Sequence, residues 1–342
     1  MPRPSFFHHL HPPTIPQKQA RITYTFGLGG FAVFLSIIVG ISGILEMFYY
    51  IPSPDQAALS VQTISYLVPL GSFIRNLHFW SGQLLLIITG LHFTRVIFTG
   101  AYASPRRFNY VLGSGLFILA ILLNFTGYVL RWDVDIQWAL ITGTNLLKTI
   151  PLIGETLYWF VVGAPQPEGI TLIRFYAWHT YGLVIIAIIL VTWHIFRVRR
   201  DGGIASAQST KPNLKLERIS RYELVNREVL AMLYGGVILI LLAALVPAPI
   251  GPPMSETMVV AGQDQAPWFF LWIQDLLQFG DPFIFGVLIP LLALGVLTVI
   301  PYIFPKIDPL ELGSWFPTTG RLAQGTTVLI ILIILILTIQ AL

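Results

Sequence analysis

The stretch IRNLHFWSGQLLLIITGLHFTR, residues 74–95, carries two histidines 14 positions apart in an apolar run. The stretch RFYAWHTYGLVIIAIILVTWHIFR, residues 174–197, repeats the arrangement with a spacing of 15. On an α-helix, 14 or 15 residues rise roughly 21–22 Å and return to nearly the same face. That rise spans much of a bilayer core about 30 Å thick. The spacing predicts two helices that each hold one histidine toward either side of a membrane.

The composition of the whole chain agrees with a membrane location. Of its 342 residues, 55% are hydrophobic and only 11% are charged, and the mean hydropathy is +0.74. A soluble chain of this length carries far more charge, which predicts a multi-pass membrane protein. Its pI is about 9.3, but the basic residues flank apolar runs and form no stripe, so nucleic acid is not an expected partner.

Charged residues divide the chain into apolar windows, each close to the roughly 20 residues that a spanning helix needs. Since lipid offers no hydrogen-bond partners to an open sheet edge, these windows predict an all-α fold with seven transmembrane helices. The windows are residues 22–45, 76–94, 108–130, 175–196, 229–246, 282–305 and 322–342.

Basic residues in the loops predict the orientation. If the N-terminus is cytoplasmic, only Arg75, Arg131, Lys148 and Arg174 of the 20 lysines and arginines fall on the opposite side. Cytoplasmic loops carry the excess of positive charge. The expected location is the cytoplasmic membrane of a prokaryote, with the N-terminus inside. No cleavable signal pattern precedes the first window.

The windows and loops also predict a domain organisation. Residues 1–20 form a cytoplasmic tail, in which His8, His9 and His11 are interpreted as part of a mobile tail or surface cap rather than a metal site. Residues 21–200 are expected to form a four-helix domain that carries the spaced histidines, 201–227 a cytoplasmic linker and 228–342 a three-helix domain. The loops after the third and fifth windows are expected to hold short interfacial helices, with Tyr158 and Trp159 as aromatic anchors.

The four spaced histidines are candidate ligands of two haem irons. The second and fourth windows run in the same direction, so His78 pairs with His179 at one depth and His92 with His194 at the other. Two imidazoles per iron suit a b-type haem, and two stacked haems suit electron transfer across a membrane. A single buried histidine is more often part of a packed core, but four at matching depths point to ligands.

Glycines in the first and third windows repeat the spacing of 14. Gly43 and Gly127 are expected at the depth of His78 and His179, and Gly29 and Gly113 at the depth of the other pair. Glycine allows a bulky planar group to approach a helix backbone. Close helix packing is the alternative explanation, but the shared spacing favours a haem slot.

Arginines beside the histidines are candidate partners of haem propionates. Arg75 precedes His78 by three residues, Arg174 precedes His179 by five, and Arg95 follows His92 by three. A guanidinium group can bind a carboxylate through two parallel hydrogen bonds. Arg95 also fits the ordinary excess of positive charge in the cytoplasm, whereas Arg75 and Arg174 lie on the side where that excess is absent.

Several segments resemble cytochrome b of the Rieske/cytochrome b complexes, and the resemblance covers nearly the whole chain. The 14 and 15 spacings, together with seven windows and no eighth, resemble those of the b6f branch, as if its cytochrome b6 and subunit IV were fused into one chain. The resemblance is most specific over residues 21–200. The segments are YTFGLGG, GISGILEMFYY, IRNLHFWSG, GLHFTRVIFTGAY, NFTGYVLRWD, TNLLKTIPLIGETL and TLIRFYAWHT.

The resemblance implies function, cofactors and partners. It implies two haem b groups, a quinol-oxidising site on the positive side, a quinone-reducing site on the cytoplasmic side and coupled proton translocation. It also implies a dimeric complex with a Rieske iron–sulfur protein and a c-type cytochrome or equivalent acceptor. Because the chain has no cysteine, those metal centres would belong to separate subunits. Gly27 stands where the b6 branch has a haem-attaching cysteine, so no covalent haem is expected.

The expected quinol site departs from the family pattern. The family motif Pro-Glu-Trp-Tyr corresponds to residues 266–269, which read Ala-Pro-Trp-Phe, so the glutamate that would accept a quinol proton is absent. Asp275 lies seven residues after Trp268, on the same face if the segment is helical, and Asp264 lies just upstream. The alternative is that both carboxylates simply lie outside the membrane core and have no such role.

The resemblance assigns further residues to the two quinone sites. Trp268, Phe269, Tyr128 and the pair Trp132–Asp133 would line the quinol site, with Asp275 as the candidate proton acceptor. At the cytoplasmic site, the cluster Arg197, Arg199, Arg200 and Asp201 could contact a quinone head group, although positive-inside charge alone would account for most of it.

Two alternatives remain at this level. The first is a haem-b membrane anchor of another quinone-linked oxidoreductase. It would share the histidines but would not send the two quinol electrons along two separate paths, and the absent glutamate favours this alternative. A transporter or structural subunit without haem would show interrupted helices near the midplane, which Pro290 and Pro301 match weakly.

Overall fold

The computed structural model describes residues 13–17, 21–205, 217–254 and 265–342. Seven of its helices are long and apolar enough to span a membrane, which confirms the predicted count and the all-α class. His8, His9, His11 and Asp264 lie outside the described residues. We label the spans A (Leu28–Met47), B (Gly71–Phe98), C (Arg107–Val129), D (Gly169–Arg200), E (Arg221–Leu245), F (Ile284–Ile303) and G (Thr318–Gln340).

Spans D and E begin earlier than their apolar windows because local caps extend them. At the start of span D, the Glu168 N–H donates to the Thr171 hydroxyl oxygen at 3.1 Å. At the start of span E, the Ser220 hydroxyl oxygen accepts from the Tyr222 N–H at 3.2 Å. Such caps satisfy N–H groups that the first helical turn leaves without partners.

The predicted loop helices are present. Val134–Lys148 and Gly154–Val161 lie between spans C and D, and Leu271–Leu276 lies between E and F, flanked by the 3₁₀ turns Trp268–Phe270 and Leu277–Phe279. Their expected aromatic anchors behave differently. Trp159 is half exposed, whereas Tyr158 is only 1% exposed. The Tyr158 hydroxyl donates to the Pro165 carbonyl, so it is a packing residue and not an anchor.

Other local elements have no signal in the hydropathy pattern. The short helices Ile22–Thr25 and Ala57–Tyr66 flank span A. Strands β1 (Thr14–Pro16) and β2 (Arg218–Ser220) pair antiparallel. Ala57 is fully buried in a cluster that closes one end of the bundle. This cluster also contains Val129, Trp132, Ile136, Leu140, Leu172 and Phe175.

Spans A to D form the predicted bundle, and spans E to G pack along it. Span E lies against spans A and B, span F against span C, and span G against span B. Asn76 of span B donates to the Ala243 carbonyl of span E and accepts from the Ala248 N–H in the loop that follows that span. Tyr110 of span C donates to the Leu297 carbonyl of span F. The two parts of the chain therefore share buried polar contacts as well as apolar packing.

Candidate haem centres and quinone sites

The His78 and His179 side chains face each other across the bundle. Their ring centres lie 6.3 Å apart and their planes are inclined by 77°. A metal–imidazole bond is about 2 Å long and a ring centre lies about 1 Å from each nitrogen, so two imidazoles on one metal have centres about 6 Å apart. The observed separation fits one iron between the two rings.

Hydrogen bonds orient these rings for metal binding. The Thr126 hydroxyl donates to the Leu122 carbonyl at 2.9 Å and lies 3.0 Å from His179 Nδ1. Because the hydroxyl proton is used, its oxygen accepts from Nδ1–H. Ser42 does the same for His78, at 3.1 Å, while donating to the Ile38 carbonyl. Both rings then present an unprotonated Nε2, the form that ligates a metal.

The four spaced glycines each contact one of the four histidines. A Cβ atom built on Gly43 would lie 2.9 Å from the His78 Cε1 atom, and one on Gly127 would lie 2.7 Å from that of His179. At the other depth, the corresponding distances are 3.3 Å from Gly29 to His92 and 3.2 Å from Gly113 to His194. Each glycine therefore lies at the depth predicted from the direction of its helix. The group next to each glycine in this structure is the edge of the histidine ring.

The His92 and His194 pair occupies the opposite depth. Spans A and B are antiparallel, because Gly29 lies by His92 and Gly43 by His78. His194 is close enough to His92 to interact with it electrostatically, and the backbone of Asn109 lies beside His194. We call the two ends of the bundle the His78 end and the His92 end.

A π-helical turn explains the unequal histidine spacings. Span D is α-helical except at Trp178–Gly182, a five-residue π-turn that contains His179. Fourteen α-helical residues stop about 40° short of complete turns, and fifteen pass them by about 60°. A π-turn accommodates one extra residue. The spacing of 15 in span D is therefore equivalent to the spacing of 14 in span B, which has no such turn.

The three arginines predicted to bind propionates lie at the ends of the bundle with backbone partners. Arg75 is buried and donates to the Ala248 carbonyl at 3.1 Å and to that of Pro249. Arg174 donates to the Trp159 and Phe160 carbonyls. Arg95 donates through Nε to the Tyr24 carbonyl, and its buried Nη2 has no hydrogen-bond partner among the described residues. That Nη2 is a free donor at the His92 end.

At the His78 end, Tyr128 and Asp133 lie in one polar network. Arg131 forms ion pairs with Asp133 at 2.5 Å and Asp135 at 2.7 Å. The Tyr128 hydroxyl donates to the Asp135 carbonyl at 3.2 Å, and the Gly251 N–H donates to Asp133 at 2.9 Å. Burial raises the pKa of Asp133, and the Arg131 charge opposes that rise. Trp132, next to this network, is buried with φ 48°.

The segment that replaces the family motif docks on the same bundle. The Trp268 indole N–H donates to Gln83 of span B at 2.7 Å. The Phe269 ring meets the Phe270 ring edge to face, with centres 4.8 Å apart, and the Phe270 ring centre lies 5.5 Å from that of Phe125 in span C. Loop residues 268–270 therefore lie over spans B and C.

Asp275 has a different environment from these aromatic residues. It is 6% exposed, in the short helix that packs on span G, and accepts from Gln278 at 3.2 Å. Among the described residues it shares no hydrogen bond with Trp268 or Tyr128. The structure thus groups Trp268 and Phe269 with spans B and C but leaves Asp275 beside span G.

At the His92 end, residues of the polar cluster after His194 form ion pairs with one another. Asp201 binds Arg197 and Arg200, each at 3.1 Å, and its side chain is 4% exposed. Asp201 therefore neutralises part of the cluster.

Comparison with known proteins identifies the family. The family described as cytochrome b (N-terminal)/b6/petB matches residues 83–253, half of the chain. Cytochrome b6 of Heliomicrobium gestii is 38% identical over 187 residues, which cover 55% of this chain and 88% of that protein. The chain belongs to the cytochrome b family.

Two further relatives extend the comparison of this cytochrome b. The menaquinol:cytochrome c reductase cytochrome b subunit of Geobacillus thermodenitrificans is 33% identical over 180 residues, covering 52% of this chain and 80% of that protein. A solved chain of a hyperthermophilic respiratory Complex III matches with a TM-score of 0.79 at 19% identity, covering 96% of this chain and 93% of that one. The latter match shows that spans A to G share one known fold.

Two carboxylates of this cytochrome b, those of Glu46 and Glu228, had no role in the sequence analysis. Glu46 directly follows the first apolar window, and its buried Oε1 has no hydrogen-bond partner among the described residues. It interacts electrostatically with His78 and Arg75. Glu228 directly precedes the fifth window and lies beside Gly30, near Arg199. Both sit at window edges, where a carboxylate resembles an ordinary flanking charge, so only packing distinguishes them.

Proposed function

We propose that this cytochrome b holds two haem b groups and serves a quinol-oxidising complex that carries electrons between a quinol site at the His78 end and a quinone site at the His92 end. The observation that carries the proposal is the His78–His179 geometry, with the hydroxyl groups of Ser42 and Thr126 fixing both Nε2 atoms. A haem iron held by two imidazoles supplies a one-electron carrier.

The protein residues would hold and tune these groups. His78 and His179 would ligate one haem, and His92 and His194 the other, with Gly29, Gly43, Gly113 and Gly127 admitting each ring against a neighbouring backbone. Arg95 offers its free Nη2 to a propionate. Arg75 and Arg174 would exchange a carbonyl partner for one, since a carboxylate is the stronger acceptor for a guanidinium group.

The quinol site would lie at the His78 end, beneath Trp268 and Phe269. Tyr128 and the Asp133 network would border it, and Asp275 would accept a quinol proton. Glu46, whose Oε1 is buried and which interacts electrostatically with His78 and Arg75, offers a second carboxylate at this end. The Geobacillus relative is named a menaquinol reductase subunit, so menaquinol is the first substrate to test.

The quinone site would lie at the His92 end. Arg197, Arg199 and Arg200 would donate hydrogen bonds to the carbonyl oxygens of a quinone head group, and Glu228 beside Gly30 could supply a proton there. Because the positive-inside pattern places this end in the cytoplasm, quinone reduction here would take protons from that side.

The partners are proposed from the family, whose Geobacillus member is named a subunit of a menaquinol:cytochrome c reductase. A Rieske protein and a c-type cytochrome would join this chain in a homodimeric complex, and because the chain has no cysteine it would supply neither of their metal centres itself. The competing function is a haem-b anchor that does not bifurcate the two quinol electrons. It retains the haem ligands and is favoured by the absence of the motif glutamate.

A redox-titrated optical spectrum of the purified protein tests the proposal. We expect two b-type haems with distinct midpoint potentials, and His92→Leu or His194→Leu should remove one haem and spare the other. Retention of both haems in either variant contradicts the ligand assignment. Quinol turnover that resists a Rieske-site inhibitor would favour the anchor function.

A further inference from the structure

We propose that a cavity between the loop joining spans B and C and the end of span F binds the anionic phosphodiester headgroup of a phospholipid. The cavity has a volume of about 270 Å³ and is lined by Tyr102, Ser104, Arg107, Pro305 and Lys306, among others. It lies at the His92 end, so its assignment to the cytoplasmic leaflet uses the orientation proposed above.

The floor of the cavity is a rigid apolar cluster shared by both parts of the chain. Tyr102 and Ile307 belong to this cluster together with Ile300 of span F and Ala323 of span G. A floor built from four segments keeps the lining side chains in place without a ligand. The site is therefore preformed, which lowers the cost of binding.

The lining is cationic. Arg107 and Lys306 contribute two positive charges, and no acidic residue lines the cavity. The two carboxylates of the adjoining loop are engaged locally: Asp308 accepts from the Leu310 N–H, and Glu311 accepts from Thr318 and Thr319. Basic pockets between spans on the cytoplasmic side are suited to anionic lipid headgroups.

The Tyr102 phenol supplies a donor that lacks an acceptor. Its side chain is 3% exposed, and its oxygen has no hydrogen-bond partner among the described residues. Burial raises its pKa to about 12, so the hydroxyl keeps its proton at neutral pH. A buried donor without a partner costs free energy, and a phosphate oxygen in the cavity would remove that cost.

The surroundings fit a lipid better than a free anion. Tyr302 and Ile303, at the end of span F beside the cavity, are 56% and 57% exposed, and the Tyr302 ring lies near Arg107. Acyl chains can lie along this apolar face of the span. The phosphate would then reach the cavity at headgroup depth, where a spanning helix ends.

Lipid binding to the full haem-loaded protein tests this site. The protein is delipidated in detergent and titrated with dioleoyl phosphatidylglycerol, with dioleoyl phosphatidylcholine as the zwitterionic comparison, and bound lipid is counted by native mass spectrometry. We expect one tightly bound phosphatidylglycerol, and an affinity at least about tenfold weaker in the double variant Arg107→Gln/Lys306→Gln. Tyr102→Phe, which removes only the hydroxyl, should weaken binding by a smaller factor.

Arg21→Gln is the matched control, because Arg21 is an exposed cation at the same end of the bundle, outside the cavity. It should bind as the parent does. Equal binding by the double variant and the parent overturns the proposal. Inorganic phosphate is titrated in the same way. Binding of inorganic phosphate without binding of phosphatidylglycerol would also overturn the proposal, in favour of a free anion. The haem spectrum of each variant reports the haem assignment separately from lipid binding.

Discussion

A Cβ atom on Gly127 would lie 2.7 Å from the Cε1 atom of His179, closer than real Cβ atoms approach other carbon atoms. The missing side chain therefore allows the imidazole to rest on the backbone of span C. The same relationship joins Gly43 to His78 in span A.

Gly127→Ala should displace the His179 ring and remove or weaken the haem at the His78 end, because overpacking of this kind costs roughly 1–3 kcal/mol. Haem content by pyridine haemochrome and the optical spectrum measure this. Gly40→Ala is the control, since a Cβ atom there meets nothing within 4 Å. An unchanged haem content in Gly127→Ala would contradict the role of this contact.

The hydroxyl groups beside Nδ1 should matter for haem affinity. Loss of partners that orient a metal-ligating histidine typically costs 10–100-fold in affinity. In the double variant Ser42→Ala/Thr126→Val, the affinity for haem at the His78 end should fall by about that factor. Haem titration of the apoprotein measures this affinity.

Ser36→Ala controls for the loss of a serine in span A. The Ser36 hydroxyl donates to the carbonyl four residues earlier, like that of Ser42, but is exposed. Both haems should bind Ser36→Ala normally. Equal haem loss from the two variants would mean that helix stability, rather than Nδ1, explains the effect.

Removal of one residue from the π-turn should be tolerated. Deleting Thr180 reduces the histidine spacing in span D to 14, and a regular α-helix then places His179 and His194 where they are now. We expect both haems to remain. Deleting Ile87 from span B is the comparison, because that span has no π-turn to absorb the change and His92 would rotate by about 100°. Loss of haem only from the Thr180 deletion would refute the equivalence of the two spacings.

Quinol oxidation should depend on a buried carboxylate at the His78 end. Asp275→Asn should slow it about 10²-fold or more, as expected for loss of a general base, with both haems retained. Asp281→Asn, at an exposed position in the same loop, should leave turnover unchanged. A large loss in Glu46→Gln with normal turnover in Asp275→Asn would instead assign the proton to Glu46.

The amino-acid sequence by itself determined the spans and the histidine pairs. Runs of apolar residues bounded by charge are sufficient to define membrane helices, because lipid leaves the backbone no other partner. Alternating direction then fixes which histidine shares a depth with which, and the glycine contacts have that same order.

The tertiary structure decided what the spacing could not. It places Ser42 and Thr126 beside Nδ1, inserts the π-turn at His179 and gives Arg75 backbone partners in the loop after span E. It also hydrogen-bonds Trp268 to Gln83 of span B while packing the short helix of Asp275 on span G, a difference that a shared helical face does not predict. These features depend on contacts between distant segments, such as residues 75 and 248, and hydropathy along one segment carries no information about its neighbours.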